Sequence, residues 1–450
     1  MKYLIGLDIG TSSVKGVLMT VDGRVTHTSH CAFLYQKLEN GGVEIDAKDF
    51  VSVCFEAIRE LSSSANGEIL GVCASSASGN LVIIDKENNP ATPIYNWQDT
   101  RVSTEAEEIL KNINPDTLYR QTGWPFDYKT FPLALACYIK KHEPHKITNC
   151  KMVCMSTEYL YYRLTGKWGI STSAGTPSYF INQVTGEYIP EVLNALEITK
   201  EQVPPVMACT SVLGKVTQKA SVECGLKAGT PIVLGSFDHP SAARGAGVFD
   251  EGEILLSCGT SWVGFFPVKD RNAATDAKVL IDPFLSGNGG CWAMMVSVPS
   301  VSERIRIYTN RYIDNSENAF LVLSRLAKKS SSGAGGLVLN MYDEPDDSKV
   351  KDFTKEQIAR AIMEGVVNLL KEQLDRIKSS GIELKTAVMV GGPSSEPLWH
   401  ELIKEICGIE VSVRHGASAG AVGAAILAGI GTGIYKDEKS AFKEVTDDRL

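Results

Sequence analysis

Two acids and two Gly-Thr-Ser turns are the residues in this 450-residue chain whose types and spacing could do chemistry together. Asp8 stands two residues ahead of Gly10-Thr11-Ser12. Asp238 follows the apolar run Pro231–Leu234, and Gly259-Thr260-Ser261 closes the apolar run Ile254–Cys258. A strand, a tight Gly-Thr-Ser turn and a returning strand gather backbone N–H groups and two hydroxyls at one point, which suits a phosphate oxygen. The two copies, IGLDIGTSSVKGVLM and EILLSCGTSWVGFFP, suggest two related halves, each offering a phosphate clamp to a shared cleft. Phosphoryl transfer there needs mostly positioning and charge neutralisation, hence a metal and a base. Asp8 is placed to hold Mg²⁺, directly or through water, with a turn-capping aspartate as the plainer alternative. Asp238 is a candidate base for a substrate hydroxyl, against the alternative of a helix N-cap. Lys15 on the returning strand can reach a phosphate, although a solvated strand lysine is the commoner case. His239 reads first as a packing or hydrogen-bonding neighbour of the base.

Trp97, Asp99 and Arg101 alternate in the polar loop PIYNWQDTR. A carboxylate and a guanidinium take hydroxyl pairs and an indole covers a C–H face, so the loop suits a polyhydroxylated ligand; an ordinary Asp–Arg ion pair explains it equally well. Gly391-Gly392, at the end of a strand, lets a nucleotide approach the backbone, or simply makes a tight turn. There is no GxxxxGK[ST] and no GxGxxG in a βαβ setting, which excludes a P-loop site and disfavours a dehydrogenase. The seven histidines show no HExxH and no paired metal spacing.

These residues must be carried by at least two cores, because the chain is too long for one. Residues 3–35 read as a β-meander with an Asp22-Gly23 hairpin turn. Asp46–Ser63 reads as a helix with Phe50, Val53, Ala57, Ile58 and Leu61 on one face. Strands follow at Glu68–Ser75 and Asn80–Asp85. This β-β-β-α-β order is that of a ribonuclease-H-like domain, not of a dinucleotide fold. Helices are expected at about 102–113, 130–142 and 156–165, and residues 167–230 look irregular. The second domain starts near Gly245, giving domains 1–244 and 245–450. Residues 285–335 carry no readable pattern. Beyond them come a long helix at Thr354–Ser380, a strand at Ala387–Val390, a helix at Leu398–Cys407, a strand at Val411–Val413 and a tightly packed small-residue helix at Gly416–Gly431.

A hydrophobic share of 44%, a charged share of 22% and a net charge of −8 describe a soluble globular protein without a basic stripe, a poor fit to nucleic acid. Eleven cysteines without a CxxC pair signal neither a disulfide framework nor zinc, and a reducing cytoplasm is expected. One lysine and the interrupting Asp8 do not make the N-terminus a secretory signal, and Ala417–Ile434 lacks the bulk and length of a membrane span.

The motifs in order resemble those of the FGGY carbohydrate kinases, relatives of actin, the heat-shock chaperone ATPases and hexokinase. They are GLDIGTSSVK at 6–15, PIYNWQDTR at 93–101, YLYYRLTG at 159–166, GLKAGTPIVLGSFD at 225–238, LLSCGTS at 255–261, RAIMEG at 360–365, VGG at 390–392 and LAGIGTG at 427–433. The resemblance covers nearly the whole chain. It implies two ribonuclease-H-like (actin-like ATPase) domains with a ligand cleft between them, and ATP-dependent phosphorylation of a ketose or sugar alcohol, a xylulose-like pentulose being favoured. It makes Asp238 the general base and Asp8 the Mg²⁺ contact. Gly10, Thr11, Ser12, Lys15, Gly259, Thr260 and Ser261 would surround the ATP phosphates, with Gly391 and Gly392 near the adenosine. Ser78, Asn80, Trp97, Asp99, Arg101, Asp238 and His239 would line the acceptor site. Neither nucleic acid nor membrane is an expected partner, and a homodimer is compatible with the resemblance. Where a xylulokinase has Gln-Met-His-Gly, this chain has Ala77-Ser78-Gly79-Asn80, so the acceptor pocket differs from a simple xylulokinase's. Two other classes compete: a nucleotide-dependent actin-like or chaperone-like ATPase, and a sugar-binding regulator that has lost transfer. The Trp97 loop argues against the first and the two acids argue against the second.

Overall fold

The computed structural model describes residues 1–379 and 381–444. Two almost continuously buried strands, followed by a largely exposed one, start the fold. Strands β1 (Lys2–Ile9), β2 (Ser13–Thr20) and β3 (Val25–Ala32) form an antiparallel meander. Helix α1 (Ala47–Ser63) follows, its first N–H groups capped by the Asp46 carboxylate, and lays Phe50, Phe55, Ile58 and Leu61 on the sheet. The chain then enters β4 (Glu68–Ser76), parallel to β1. Helices α2 (Phe131–His142) and α3 (Ser156–Thr165) lie in the long segment before β5 (Val212–Lys215) and β6 (Pro231–Val233). The sheet order is β5-β6-β4-β1-β2-β3. Helix α4 (Asp238–Ala246) follows β6 after the four-residue connection 234–237, with Asp238 as its first residue.

A second sheet repeats this plan. Strands β7 (Glu253–Cys258) and β8 (Trp262–Val268) form an antiparallel hairpin, β9 (Trp292–Val298) follows, and α5 (Lys355–Ser379) precedes β10 (Thr386–Val390), which is parallel to β7. Helix α6 (Pro397–Cys407) leads to β11 (Glu410–Val413), parallel to β10. The order β9-β8-β7-β10-β11 matches β3-β2-β1-β4-β6, so each sheet has the ribonuclease-H-like arrangement.

The compact units do not follow a single cut of the chain. One unit comprises residues 1–247, 270–293 and 418–450, the other residues 248–269 and 294–417. The sequence had anticipated one passage, near Gly245; the chain makes three more. The last brings helix α7 (Ala419–Gly431) back to the first unit, where it packs on Leu4, Val17 and Met19. Its composition is explained by how close the backbones come. A Cβ on Gly6 would lie 1.9 Å from the Ala421 carbonyl oxygen, and one on Gly423 1.8 Å from that of Ser241 in α4. Glycine is what those approaches require.

Several local expectations need revision. The strand expected at Asn80–Asp85 is Val82–Ile84, and it pairs with Met152–Cys154 outside the main sheet. The helix expected over 102–113 shrinks to Glu105–Ile109. A separate helix, Pro115–Thr122, follows because Asn114 caps it and Gly123, at φ 73°, ends it. Helices Val301–Tyr312 and Ala319–Ala327 occupy the stretch without a readable pattern. Ser380, the expected end of α5, lies outside the described residues.

Candidate active site

In the first unit, the β1–β2 turn sets the geometry. The Gly10 N–H donates to the Ser13 carbonyl at 2.9 Å, closing the turn that presents Thr11 and Ser12. Ser12 is exposed and Thr11 partly buried. The register puts Asp8 on β1 directly opposite Lys15 on β2, and Asp8 also pairs with Ser75 on β4. The N-terminal turn of α7 crosses this strand end so closely that a Cβ on Gly420 would lie 2.5 Å from Asp8 Oδ2. The glycine leaves the carboxylate a cradle.

Asp238 begins α4 in the same unit. Its Oδ1 accepts the His239 N–H at 2.7 Å and lies 3.9 Å from His239 Nε2. The helix is anchored by Ser241, whose hydroxyl donates to the Gly420 carbonyl at 2.9 Å. Asp8 and the first turn of α4 thus both meet the start of α7, and the Asp238 charge acts on Asp8. Burial and then the Asp238 charge push the Asp8 carboxyl up to about 7, with Lys15 and Ser75 acting the other way. Burial pushes the Asp238 carboxyl up as well, and the His239 imidazole opposes it. Both carboxylates remain partly accessible.

An aromatic wall continues from this pair. The His239 ring stands edge-on to Phe237 at 5.3 Å, Phe237 to Trp124 at 5.6 Å, and Trp124 to Phe131 at 5.8 Å; Phe131 stacks with Trp97 at 6.4 Å. Trp97 closes the circuit by donating its Nε1–H to the Thr11 hydroxyl at 3.0 Å. Sequence reading singled out Trp97 and His239 and counted residues 124–130 towards the shape of the pocket, but it named neither Phe131 nor Phe237. Phe237 lies inside the motif 225–238, next to the candidate base, and that adjacency was its available signal.

The other expected acceptor residues are committed to internal contacts. Asp99 is fully buried. Its two oxygens take Arg101 Nε at 2.9 Å, Arg101 Nη2 at 2.8 Å and the Val43 N–H at 2.9 Å. Arg101 also binds Glu44 at 2.6 Å and lies over the Tyr95 ring. The pair therefore fixes the loop behind Trp97, the ion-pair alternative noted above. Asn80 is buried and its Oδ1 accepts the Ser156 N–H at the start of α3, at 2.7 Å. Ser78 is buried beside it.

In the second unit, Gly259 N–H donates to Ser261 O at 3.0 Å across the β7–β8 turn, the counterpart of the Gly10 turn. Gly391, at φ 96°, runs so close to this hairpin that a Cβ would lie 2.2 Å from the Cys258 carbonyl oxygen. The structure thus brings Gly391-Gly392 to the same strand end as Gly259-Thr260-Ser261.

The model of the N-terminal domain of the FGGY family of carbohydrate kinases matches residues 3–245, and that of the C-terminal domain matches residues 348–432. The chain belongs to the FGGY family of carbohydrate kinases. It is 24% identical to a xylulose kinase of Staphylococcus xylosus over 96% of this chain and 91% of that protein. It is 26% identical to the L-xylulose/3-keto-L-gulonate kinase of Escherichia coli K12 over 99% and 91%, and 25% identical to an autoinducer-2 kinase of Photorhabdus laumondii over 96% and 87%. The fold is that of xylulose kinase from Rhodospirillum rubrum (TM-score 0.85, 22% identity, 98% of this chain, 92% of that one). It is also that of gluconate kinase from Lactobacillus acidophilus (0.88, 20%, 100% and 93%). This FGGY kinase is an ATP-dependent carbohydrate kinase, a phosphotransferase with an alcohol group as acceptor.

No helix among the described residues is long and apolar enough to cross a membrane. No cluster of three or more His, Cys, Asp or Glu stands ready for a metal among them either. A Mg²⁺ ion fits what is present in another way. Asp8 offers a hard oxygen donor in a cradle lined by glycine, and water and phosphate oxygens complete such a shell.

Proposed function

We propose that this FGGY kinase transfers the γ-phosphoryl group of MgATP to a hydroxyl of a ketose or sugar alcohol, a xylulose-like pentulose being favoured, with Asp238 as the general base. The observation that carries this is the pair of acids in the first unit, Asp8 at the end of β1 and Asp238 at the start of α4: burial raises both carboxyls, and Asp238 stands near enough for its charge to raise that of Asp8 further. Asp238 takes the proton from the acceptor hydroxyl while its oxygen bonds to the γ-phosphorus and the bond to ADP breaks. A carboxyl raised towards neutrality is the stronger base, and its partial exposure lets an acceptor reach it. Asp8 and Lys15 face the phosphates, Asp8 holding Mg²⁺ directly or through water; the ion neutralises phosphate charge. Gly10, Thr11 and Ser12 in the first unit bind phosphate oxygens, as do Gly259, Thr260 and Ser261 in the second. Gly391 and Gly392 take the adenosine. Trp97 and His239 contact the acceptor, while Ser78, Asn80, Asp99 and Arg101 shape its pocket from behind.

The relatives named as kinases of xylulose, L-xylulose, 3-keto-L-gulonate and autoinducer-2 support a small ketose-like acceptor. The test is ADP release with MgATP against xylulose, ribulose, fuculose, rhamnulose, tagatose, fructose, gluconate, glycerol, erythritol and xylitol. One acceptor raising ADP release well above the ATP-only rate is expected, and a pentulose should rank first. A preference for gluconate or glycerol overturns the ketose reading.

A further inference from the structure

A buried carboxylate that the site above does not use sits behind the base. Asp282 ends the short strand Leu280–Asp282 and is fully buried in the first unit. Its Oδ1 accepts the Phe284 N–H at 2.7 Å. Its Oδ2 accepts the hydroxyl of Ser173 at 2.8 Å. The same Ser173 oxygen accepts the N–H of Phe237, the residue before Asp238, at 3.2 Å. The far end of α4 returns to the same turn. Arg244, fully buried, donates to the Phe284 carbonyl at 2.9 Å and to the Pro240 carbonyl at 3.1 Å, and its guanidinium lies 4.7 Å over the Phe284 ring. Phe284 is held at φ 37°, a left-handed conformation that a bulky residue adopts only when its surroundings impose it.

The carboxylate has one serine and one N–H as hydrogen-bond partners, and although the Arg244 and His239 charges favour its ionised form, burial still pushes it up to about 6, so it is costly beside an apolar side chain of the same size. What it supplies is an acceptor that fixes the Ser173 proton, so that the serine oxygen turns its lone pair to the Phe237 N–H. We propose that Asp282 and Ser173 are positioning residues that brace the N-terminus of α4 and hold the Asp238 carboxylate in its reactive place. Helix α4 is then held at both ends by the turn 282–284. The inference rests on Asp238 as the base. It matters because displacing a reacting group by about 1 Å is enough to cost about 10²-fold in rate.

The test compares S173A and D282N with the wild type and D238N, each as the full chain with the acceptor that the panel above selects. S173A and D282N should each lower kcat at least tenfold while the KM for MgATP stays within twofold. Backbone amide exchange at Phe237 should quicken at least tenfold in S173A. If S173A does not fold, D282N, which keeps the size of the side chain and an acceptor for Phe284, gives the same reading. A kcat within twofold of wild type in the folded variants overturns the proposal, as does unchanged exchange at Phe237. Full turnover by D238N would defeat the base assignment instead, and the exchange result would still decide whether Ser173 braces the segment.

Discussion

The indole N–H of Trp97 and the hydroxyl of Thr11 meet at 3.0 Å, tying the loop 93–101 to the first Gly-Thr-Ser turn. On the function proposed above, an acceptor resting on the Trp97 ring is registered against the turn assigned to phosphate. Replacing Trp97 by Phe keeps a ring to stack on Phe131 and removes the hydrogen bond, worth about 1 kcal/mol. The expected result of W97F is a KM for the acceptor about fivefold higher, at the 1.4 kcal/mol per tenfold conversion, with the KM for MgATP little changed. T11V removes the same bond and spares the ring. If T11V reproduces the W97F effect, the bond matters; an acceptor KM unmoved by W97F refutes contact with Trp97.

Arg101 should matter through stability. Removing it leaves Asp99 buried with its strongest partner gone, which costs about 3–5 kcal/mol. R101K keeps the charge but not the planar fork that engages Asp99 and Glu44 together, so it should recover less than half of that loss. Urea denaturation of the two variants measures this. A fully stable R101A would show that the pair does not fix the loop.

Glu158 gives a pH dependence away from the site. Its side chain is buried at the start of α3, where Oε2 accepts the Met155 N–H at 2.8 Å, and burial pushes its carboxyl from an ordinary 4.5 up to about 7. Below about pH 4.5 it is neutral in both folded and unfolded chains. Between 4.5 and 7 the unfolded chain releases the proton first, so rising pH favours unfolding, and above 7 the full penalty applies. E158Q keeps an oxygen for Met155 and carries no charge. Its melting temperature should exceed that of the wild type above pH 7, by the equivalent of at most about 3 kcal/mol, and the gap should close towards pH 4.5. A gap that is constant with pH rules out this cause.

Much of this was legible because backbone chemistry is local. The Gly10 and Gly259 turns, the Asp22-Gly23 hairpin and the face of α1 were readable from spacing alone, and the two Gly-Thr-Ser hairpins do occupy equivalent places in two like-ordered sheets. The small-residue helix was read as tightly packed, but its target was not. The clue is paired glycines distant in sequence, Gly6 and Gly245 against the backbone of α7, and no window along the chain contains both partners. Asp99 and Arg101 look alike from sequence whether they bind a sugar or each other, and only the buried Val43 N–H decides where the carboxylate points. Asp282 and Ser173 lie 109 residues apart and belong to no motif, so their contact emerges only from the fold.

The central claim is that Asp238 acts as the base. Substituting it with Asn keeps the shape of the α4 N-terminus and removes the proton acceptor. The direct measurement is single-turnover phosphoryl transfer by D238N alongside nucleotide affinity. The account predicts an ATP affinity within a few-fold of wild type and a transfer rate lower by about 10²–10⁴-fold. Transfer at close to the wild-type rate, with ATP bound as before, would contradict it.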